Sequence, residues 1–271
     1  RLIGIKGTRG VGKTTFLLQY AKEKFGTDRS CLFINMNNFY FSGHSIVDFA
    51  YEFQRRGGKV LLIDQVFKHP DWSKELRLCY DRFPNLKIVF TGSSVMRLKE
   101  ENLELRDIVK SYNLRGFSFR EYLNLQTGMK FRSYSLEEIL SNHEQIAKGI
   151  LSKVRPLDHF QDYMHHGFYP FFLEKRNFSE NLLKTMNMMV EVDILLIKQI
   201  ELKYLSKIKK LLYFLAVDGP KAPNVSQLAN DIQTSRATVM NYIKYLADAR
   251  LINMVYPKGE EFPKKPSKIM M

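Results

Sequence analysis

The stretch GTRGVGKTT, residues 7–15, constrains the fold more than any other part of the sequence. It fits the pattern G-x-x-x-x-G-K-[ST], and it lies between the apolar run LIGIK and the amphipathic segment TTFLLQYAKEKF. A strand, a glycine-rich turn and a helix in this order direct backbone N–H groups and the positive end of the helix at one point. The sequence therefore predicts a loop that binds phosphate groups.

Each position of this loop has an expected part in binding a triphosphate. Lys13 supplies a mobile positive charge between the two terminal phosphates, and the hydroxyl of Thr14 is a ligand for Mg²⁺. The predicted nucleotide-binding residues are Gly7, Thr8, Arg9, Gly10, Val11, Gly12, Lys13, Thr14 and Thr15. The expected cofactors are ATP and Mg²⁺.

Short apolar runs alternate with amphipathic stretches through the first half of the sequence. Such runs, when helical segments separate them, are typical of a parallel sheet that helices cover on both faces. The predicted strands are LIGIK (2–6), CLFINM (31–36), KVLLID (59–64) and KIVFT (87–91), with SYNLRG (111–116) as a candidate fifth. Because the second half shows helical periodicity instead, we expect an α/β core followed by helices.

The run LLIDQV, residues 61–66, brings a carboxylate to the end of the third predicted strand. Asp64 is at the usual place for the acid that holds the Mg²⁺ of a bound nucleotide. Gln65 follows at the position where enzymes of this kind keep a glutamate that polarises the attacking water. A glutamine keeps the size and the hydrogen bonding but cannot take a proton. We therefore expect nucleotide binding with slow or absent hydrolysis.

The sequence leaves alternatives for two catalytic groups: the general base and the group that orients the attacking water. Gln65 can be an engineered substitution that traps the nucleotide, or a natural variant with weak hydrolysis. Alternatively the base comes from elsewhere, for example from Glu75 or Glu100. The TGSS turn after the fourth strand is expected to orient the water through Ser93 or Ser94.

Four segments together resemble the AAA+ group of P-loop ATPases. They are IGIKGTRGVGKTTFL, LLIDQVFKHPDWSKELR, LKIVFTGSS and YNLRGFSFREYL, and the resemblance covers about residues 1–125. More narrowly, the chain is similar to prokaryotic AAA-type ATPases that are often fused to a nuclease-like C-terminal domain of unknown function. That family normally reads Asp-Glu at the second acid, so Gln65 departs from its pattern at the hydrolytic position.

The resemblance implies an ATP hydrolase in which a P-loop sheet precedes a helical lid and a winged-helix domain. The corresponding boundaries are 1–118 for the core, 119–203 for the lid and 204–271 for the winged helix. Family members typically carry an arginine that acts on the γ-phosphate of a neighbouring subunit, which makes a homo-oligomer a candidate assembly. Arg106, Arg115 and Arg120 are the candidates, and Arg106 is favoured because it lies just before the fifth strand.

The segment NVSQLANDIQTSRATVMNYIKYLADARLI has the layout of a helix-turn-helix. It resembles a winged helix, with residues 251–271 as the wing and Thr234 or Ser235 as the cap of the second helix. The residues left to contact DNA are Arg236, Thr238, Asn241 and Lys244. The alternative function is therefore a DNA-binding regulator in which the nucleotide has a structural role.

The charge of the chain favours anionic partners. The net charge is +14 and the pI is near 9.6, which fits a nucleotide, a nucleic acid or an acidic protein. No apolar run approaches the roughly 18 residues that cross a bilayer, and no secretory pattern opens the sequence, so we expect a cytoplasmic protein without a membrane partner. Because Leu2 already begins the first strand, we also expect the chain to be a truncated fragment.

Overall fold

A computed structural model describes residues 1–98, 100–175, 177–256 and 266–271. Its main strands are β1 (Leu2–Gly7), β2 (Cys31–Asn35), β3 (Val60–Asp64), β4 (Lys87–Ser93) and β5 (Val109–Asn113). They form one sheet in the order β2-β3-β4-β1-β5, in which every pair of neighbours is parallel. The prediction of a parallel α/β sheet, including the candidate fifth strand, is confirmed.

Three helices pack against this sheet, α1 (Lys13–Lys24), α2 (Ile46–Arg55) and α3 (Trp72–Arg82). Side chains of β3 alternate between its two faces, as expected for a strand that is covered on both. Leu61 and Ile63 pack in the cluster that contains residues of α2 and α3, whereas Leu62 packs in the cluster that contains Leu17 of α1. All five residues of β3 are buried, so the strand that ends in Asp64 is rigidly placed.

The parallel arrangement brings three predicted site residues to one edge of the sheet. Gly7, Asp64 and Ser93 each end a strand, and parallel strands present their carboxyl ends at the same edge. In the register of the sheet Gly7 lies beside Ser93, and Asp64 lies beside Asn35. Helix α1 also begins at this edge, so its amino terminus faces the same region.

The chain forms two compact units. One consists of Arg1–Arg9, Lys13–Leu114 and Leu183–Met271, and the other consists of Gly10–Gly12 and Arg115–Leu182. The second unit contains α4 (Phe119–Thr127), α5 (Leu136–Leu151), α6 (Pro156–Asp162) and the first part of α7 (Phe178–Met188). Aromatic rings in this unit pack around Tyr122, which is buried. The predicted division of the chain at residues 118 and 203 stays a prediction.

The carboxyl-terminal part of the first unit is mainly helical. A π-helical turn (Met189–Ile194) follows α7, and then come α8 (Leu195–Ile197), α9 (Leu205–Asp218), α10 (Val225–Asp231), α11 (Arg236–Asp248) and an antiparallel pair of β6 (Asn253–Val255) and β7 (Lys268–Met270). The predicted wing falls partly on residues 257–265, which lie outside the described residues. Among the described helices, none combines the length and the apolar character needed to cross a membrane.

Candidate functional site

The loop between β1 and α1 curves around the side chain of Lys13. Its backbone has positive φ at Gly10 (83°) and Gly12 (90°), a region that glycine enters without steric cost. The ammonium group of Lys13 (Nζ) donates to the carbonyl oxygens of Gly7 and Thr8, at 2.8 Å each. The charge of Lys13 is therefore fixed inside the curve of its own loop.

Gly10 is also required by the close approach of aromatic rings within the second unit. A Cβ added at Gly10 would lie 3.0 Å from Cε1 of Phe171 and 3.3 Å from Cδ1 of Tyr169. Both rings belong to the GFYPFFLE segment, and they stack on each other with centroids 5.1 Å apart. Any side chain larger than hydrogen at Gly10 would have to displace these rings.

Asp64 is the centre of a hydrogen-bond network at the end of β3. Its side chain is buried, and its Oδ2 accepts from the hydroxyl of Thr14 (2.8 Å) and from Nδ2 of Asn35 (2.9 Å). Its Oδ1 accepts from the hydroxyl of Thr91 on β4 (2.5 Å). The structure thus brings together Thr14 and Asp64, the two residues predicted to hold a metal ion.

The oxygen atoms of this network suit Mg²⁺ bound together with phosphates. Thr14 offers a hydroxyl and Asp64 a carboxylate, and Mg²⁺ prefers oxygen ligands and usually takes only one or two from the protein. Among the described residues, no group of three or more His, Cys, Asp or Glu side chains could hold a metal ion by itself. A metal ion at Thr14 and Asp64 would therefore complete its shell with phosphate oxygens and water.

Gln65 lies directly beyond this network, in a backbone conformation that non-glycine residues adopt rarely. Its φ and ψ are 56° and 46°, and its N–H donates to the Thr91 hydroxyl (2.9 Å), the same hydroxyl that donates to Asp64. The left-handed conformation costs a non-glycine residue about 1–3 kcal/mol, and at Gln65 it begins the short turn that follows β3. The backbone at Gln65 is therefore tied to the network of Asp64 through Thr91.

A second buried carboxylate, Asp193, was missed by the sequence analysis. It lies in the π-helical turn and is only 3% exposed. It accepts from Nη2 of Arg9 in the loop (2.6 Å) and from the hydroxyl of Ser93 at the end of β4 (2.9 Å). Its only sequence signal is its place on the apolar stripe of a helical segment, where a carboxylate must find partners. The sequence does not show that these partners lie on the loop and on β4.

Burial and charge shift the pKa of the loop lysine. Burial lowers the pKa of Lys13 from 10.5 to about 8, with a smaller lowering by Arg9 and opposing contributions from Asp193 and Asp64. Within the part of the chain that the structure describes, the Nε of Arg9 is buried without a hydrogen-bond partner. Both cations are thus incompletely compensated, which favours the binding of an additional anion such as a phosphate.

The two candidate serines for orienting the water differ in their surroundings. Ser93 is 2% exposed and donates to Asp193, so it belongs to the cluster around the loop. Ser94 lines a polar cleft together with Lys6, Arg97, Glu100 and Asp248. The contacts therefore favour Ser93 over Ser94, although the role itself stays a prediction.

The three candidate arginines are exposed. Arg106 is exposed and lies at the amino end of β5, whereas Gly7 and Ser93 lie at the carboxyl ends of their strands. Arg115 and Arg120 are exposed residues of the second unit. A role for Arg106 across a subunit boundary stays a prediction.

Glu75 and Glu100, the two alternative candidates for the catalytic base, make contacts outside the loop. Glu75 accepts from the backbone N–H of Ile46 at the start of α2. Glu100 lines the polar cleft that contains Ser94. Neither contact involves the loop, whereas Asp193 bonds directly to Arg9 of the loop.

Helix α11 carries the predicted DNA contacts and also touches the loop. Arg236, Asn241 and Lys244 are exposed, whereas the Thr238 hydroxyl is hydrogen bonded to Ser235, which caps the helix. At the other end of α11, the carbonyl oxygen of Ala249 accepts from the Thr8 hydroxyl (3.3 Å).

An ion pair makes a second connection between α11 and the core. Asp248 accepts from Nη2 of Arg97 at 2.9 Å, and Arg97 follows β4 closely in the sequence. The carboxyl end of α11 is therefore bonded both to the loop and to the segment after Ser93.

Comparisons with known proteins give a curated relative and two solved structures that are similar to the chain. The chain is 30% identical over 274 aligned positions to the uncharacterized protein MJ1637 of Methanocaldococcus jannaschii, covering 95% of this chain and 57% of that protein. The chain thus spans little more than half the length of this relative. Solved structures of Aeropyrum pernix ORC1 in complex with DNA and of AMPPCP-bound DnaA from Aquifex aeolicus are also similar.

These two structures are distant from the chain. The alignment with ORC1 has 11% sequence identity and a TM-score of 0.37. It covers 100% of this chain and 83% of the ORC1 chain. The alignment with DnaA has 14% sequence identity and a TM-score of 0.32. It covers 92% of this chain and 82% of the DnaA chain. Likenesses this weak support no conclusion about function.

Family models match two segments of the chain. Residues 157–269 match a domain of unknown function (DUF8612). Residues 1–123 match a model described as AAA domain, and this segment contains the loop, Asp64 and all five strands of the parallel sheet. Residues 1–123 are therefore similar to an AAA domain.

Proposed function

We propose that the chain binds ATP with Mg²⁺ in the loop of residues 7–15 and acts as a nucleotide-dependent switch that hydrolyses ATP slowly. The observation that carries this proposal is the hydrogen bond between the Thr14 hydroxyl and the Asp64 carboxylate, beside a loop that encloses the charge of Lys13. Hydroxyl, carboxylate and ammonium are the three protein groups that P-loop enzymes use for a magnesium triphosphate.

Different residues of the site have different roles in nucleotide binding and in hydrolysis. Loop amides and Lys13 stabilise the negative charge of the γ-phosphate, while Thr14 and Asp64 would hold Mg²⁺, which supplies further positive charge when bound. Ser93 orients the attacking water. Gln65 can hydrogen bond to that water but cannot accept its proton, so hydrolysis is slow.

Calorimetry with MgATP tests the binding directly. We expect saturable heat with one nucleotide per chain, and a weaker affinity when EDTA removes Mg²⁺, because Thr14 and Asp64 contribute only through the metal ion. A matched titration with magnesium and AMP controls for adenine binding without the terminal phosphates. If MgATP produced no binding heat at millimolar concentration, the proposal would fail.

The lowered pKa of Lys13 predicts proton uptake when ATP binds. Above pH 8 most of the Lys13 amine is neutral in the unliganded protein, because its pKa is about 8. A bound triphosphate favours the charged amine and raises its pKa, so at pH 8.5 binding is expected to take up more than about half a proton per nucleotide.

Titrations in two buffers of different ionisation enthalpy measure this uptake. At about pH 6.5 the amine is already charged, so the heats should agree between buffers after correction for the nucleotide itself. Equal heats at about pH 8.5 would show that the Lys13 amine does not change its charge on binding.

The parts beyond the AAA domain are proposed from the sequence resemblance. We assign residues 119–203 as a helical lid and 204–271 as a winged helix, and we place the protein in the cytoplasm. A homo-oligomer, in which Arg106 of one subunit acts on the nucleotide of the next, is the proposed assembly. The particle mass in MgATP and in the absence of nucleotide tests this assembly.

DNA binding by α11 is the second candidate function. The observation that favours it is the exposure of Arg236, Asn241 and Lys244 on one helix, whose other end accepts a hydrogen bond from Thr8 of the loop. A change at the loop on nucleotide binding could thus be passed to the DNA-contacting face. In this view the nucleotide has mainly a structural role.

Replacing both Arg236 and Lys244 with alanine is expected to weaken duplex binding at every sequence. Each phosphate contact contributes about 0.9 to the slope of log affinity against log salt, so the slope should fall by roughly 2. Fluorescence anisotropy at several salt concentrations measures this slope. The control changes Lys24 and Arg29, two exposed cations near the end of α1, to alanine. The idea fails if the unmodified chain shows no salt-sensitive binding to DNA.

A further inference from the structure

We propose that Asp193 supplies the carboxylate that Gln65 lacks, binding the attacking water and accepting its proton during ATP hydrolysis. This inference rests on the proposed binding of ATP in the loop. In this proposal the chain does have a base, and that base comes from Asp193, which is distant from Gln65 in the sequence.

The hydrogen bond to Ser93 places Asp193 beside the end of β4. β4 lies between β1, which leads into the loop, and β3, which ends in Asp64. Ser93 ends β4, and its hydroxyl is 2.9 Å from Oδ2 of Asp193. Asp193 is thus bonded to the strand that separates the loop from Asp64. The attacking water must approach the γ-phosphate in the same region, because it enters opposite the bond to the leaving group.

The two buried carboxylates of the cluster differ in their remaining capacity to accept hydrogen bonds. Asp64 already accepts from Thr14, Asn35 and Thr91, and its proposed role uses its remaining capacity for Mg²⁺. A carboxylate has about four acceptor sites. Among the residues that the structure describes, Asp193 accepts from two donors, Arg9 and Ser93, so it can also bind a water molecule.

Arg9 makes this arrangement electrostatically possible. A buried carboxylate beside a triphosphate would be repelled unless a cation compensates it, and the guanidinium of Arg9 is 2.6 Å from Asp193. A carboxylate is in any case a weak base. Phosphoryl transfer tolerates a weak base because its transition state is loose and the proton leaves late. The expected result is hydrolysis that is slow but measurable.

The chemical step balances with these groups. The oxygen of water forms a bond to the γ-phosphorus, and the bond from that phosphorus to the β–γ bridging oxygen breaks, with its electron pair passing to ADP. The proton of the water passes to the carboxylate of Asp193 and from there to solvent. ATP and water are consumed, and ADP, phosphate and one proton are released.

A double-mutant cycle between Asp193→Asn and Gln65→Glu tests the role of Asp193. Asparagine keeps the size of the side chain and one acceptor for Arg9, but it cannot take a proton. With Gln65 in place, Asp193→Asn is expected to lower kcat at least about tenfold. In the Gln65→Glu background the same change should lower kcat less than about threefold, because the introduced carboxylate then serves as the base.

The outcomes separate a catalytic role from a structural one. If Asp193 only positioned Arg9 and Ser93, its replacement would lower kcat by the same factor in both backgrounds, and the proposal would be overturned. An unchanged or increased kcat of Asp193→Asn with Gln65 present would overturn it as well. Glu191→Gln in the same π-helical turn is the matched control, since Glu191 pairs with Lys209. It should leave kcat unchanged in both backgrounds.

Two further measurements keep the test decisive. If Asp193→Asn does not fold, Asp193→Glu takes its place in the cycle, because it keeps the charge that pairs with Arg9 and displaces the carboxylate by one methylene. The same dependence on the background is expected. MgATP affinity is measured for every variant, so that failure of binding would refute the proposed function. Binding without any hydrolysis by the unmodified chain would refute only the role of Asp193.

Discussion

Replacing Lys13 with alanine is expected to weaken MgATP binding by roughly 10- to 150-fold. The amine is held inside the loop by two hydrogen bonds to loop carbonyls, at 2.8 Å each, so it lies where the terminal phosphates are expected. Hydrogen bonds to charged groups contribute about 1.5–3 kcal/mol, which corresponds to this range of affinity. Calorimetry with MgATP below pH 8, where the amine is charged, measures the effect.

The control for this change is Lys22→Ala on the exposed side of α1. It removes the same charge from the same helix without altering the loop, so its affinity should match that of the unmodified chain. A melting curve of Lys13→Ala shows whether the loop still folds when its two carbonyl contacts are lost. Equal affinities of Lys13→Ala and Lys22→Ala would mean that triphosphate does not bind at the loop.

Gln65→Glu is expected to raise steady-state ATP turnover at least about tenfold while changing MgATP affinity less than about threefold. A positioned general base contributes about 10²–10⁴ to the rate of a reaction, and the introduced carboxylate would stand next to Asp64, where enzymes of this kind keep their base. The backbone at position 65 is left-handed, and a glutamate bears about the same cost there as the glutamine. Phosphate release at saturating MgATP measures the turnover.

Gln65→Asn is the matched control for this gain. Asparagine tolerates the left-handed conformation better than most residues and keeps an amide, so it tests the loop geometry without adding a base. Its turnover should not exceed that of the unmodified chain. Equal turnover of Gln65→Glu and the unmodified chain would show that position 65 does not limit hydrolysis.

The sheet and the loop could be predicted because their signals are local. Each strand is a short apolar run, and the loop lies in one stretch between β1 and α1. Parallel strands then bring Gly7, Asp64 and Ser93 to one edge without further information. The predicted strand limits differ from the observed ones by only a few residues, as for the fifth strand, which begins at Val109 rather than at Ser111.

Asp193 could not be predicted because its partners are distant in the sequence. Its bonds to Arg9 and Ser93 depend on the folding of residues 183–271 with the sheet into one unit. The predicted division, which stays a prediction, places Asp193 in the lid of residues 119–203.

The bonds of Thr8, Arg9 and Ser93 to later residues have a consequence for where the chain can be shortened. An isolated piece ending at residue 123 would retain the whole matched AAA domain but lose the acceptors Asp193 and Ala249. Arg9 and Ser93 would then lack the carboxylate that receives both of their hydrogen bonds. This piece is therefore expected to be less stable than the same segment within the whole chain.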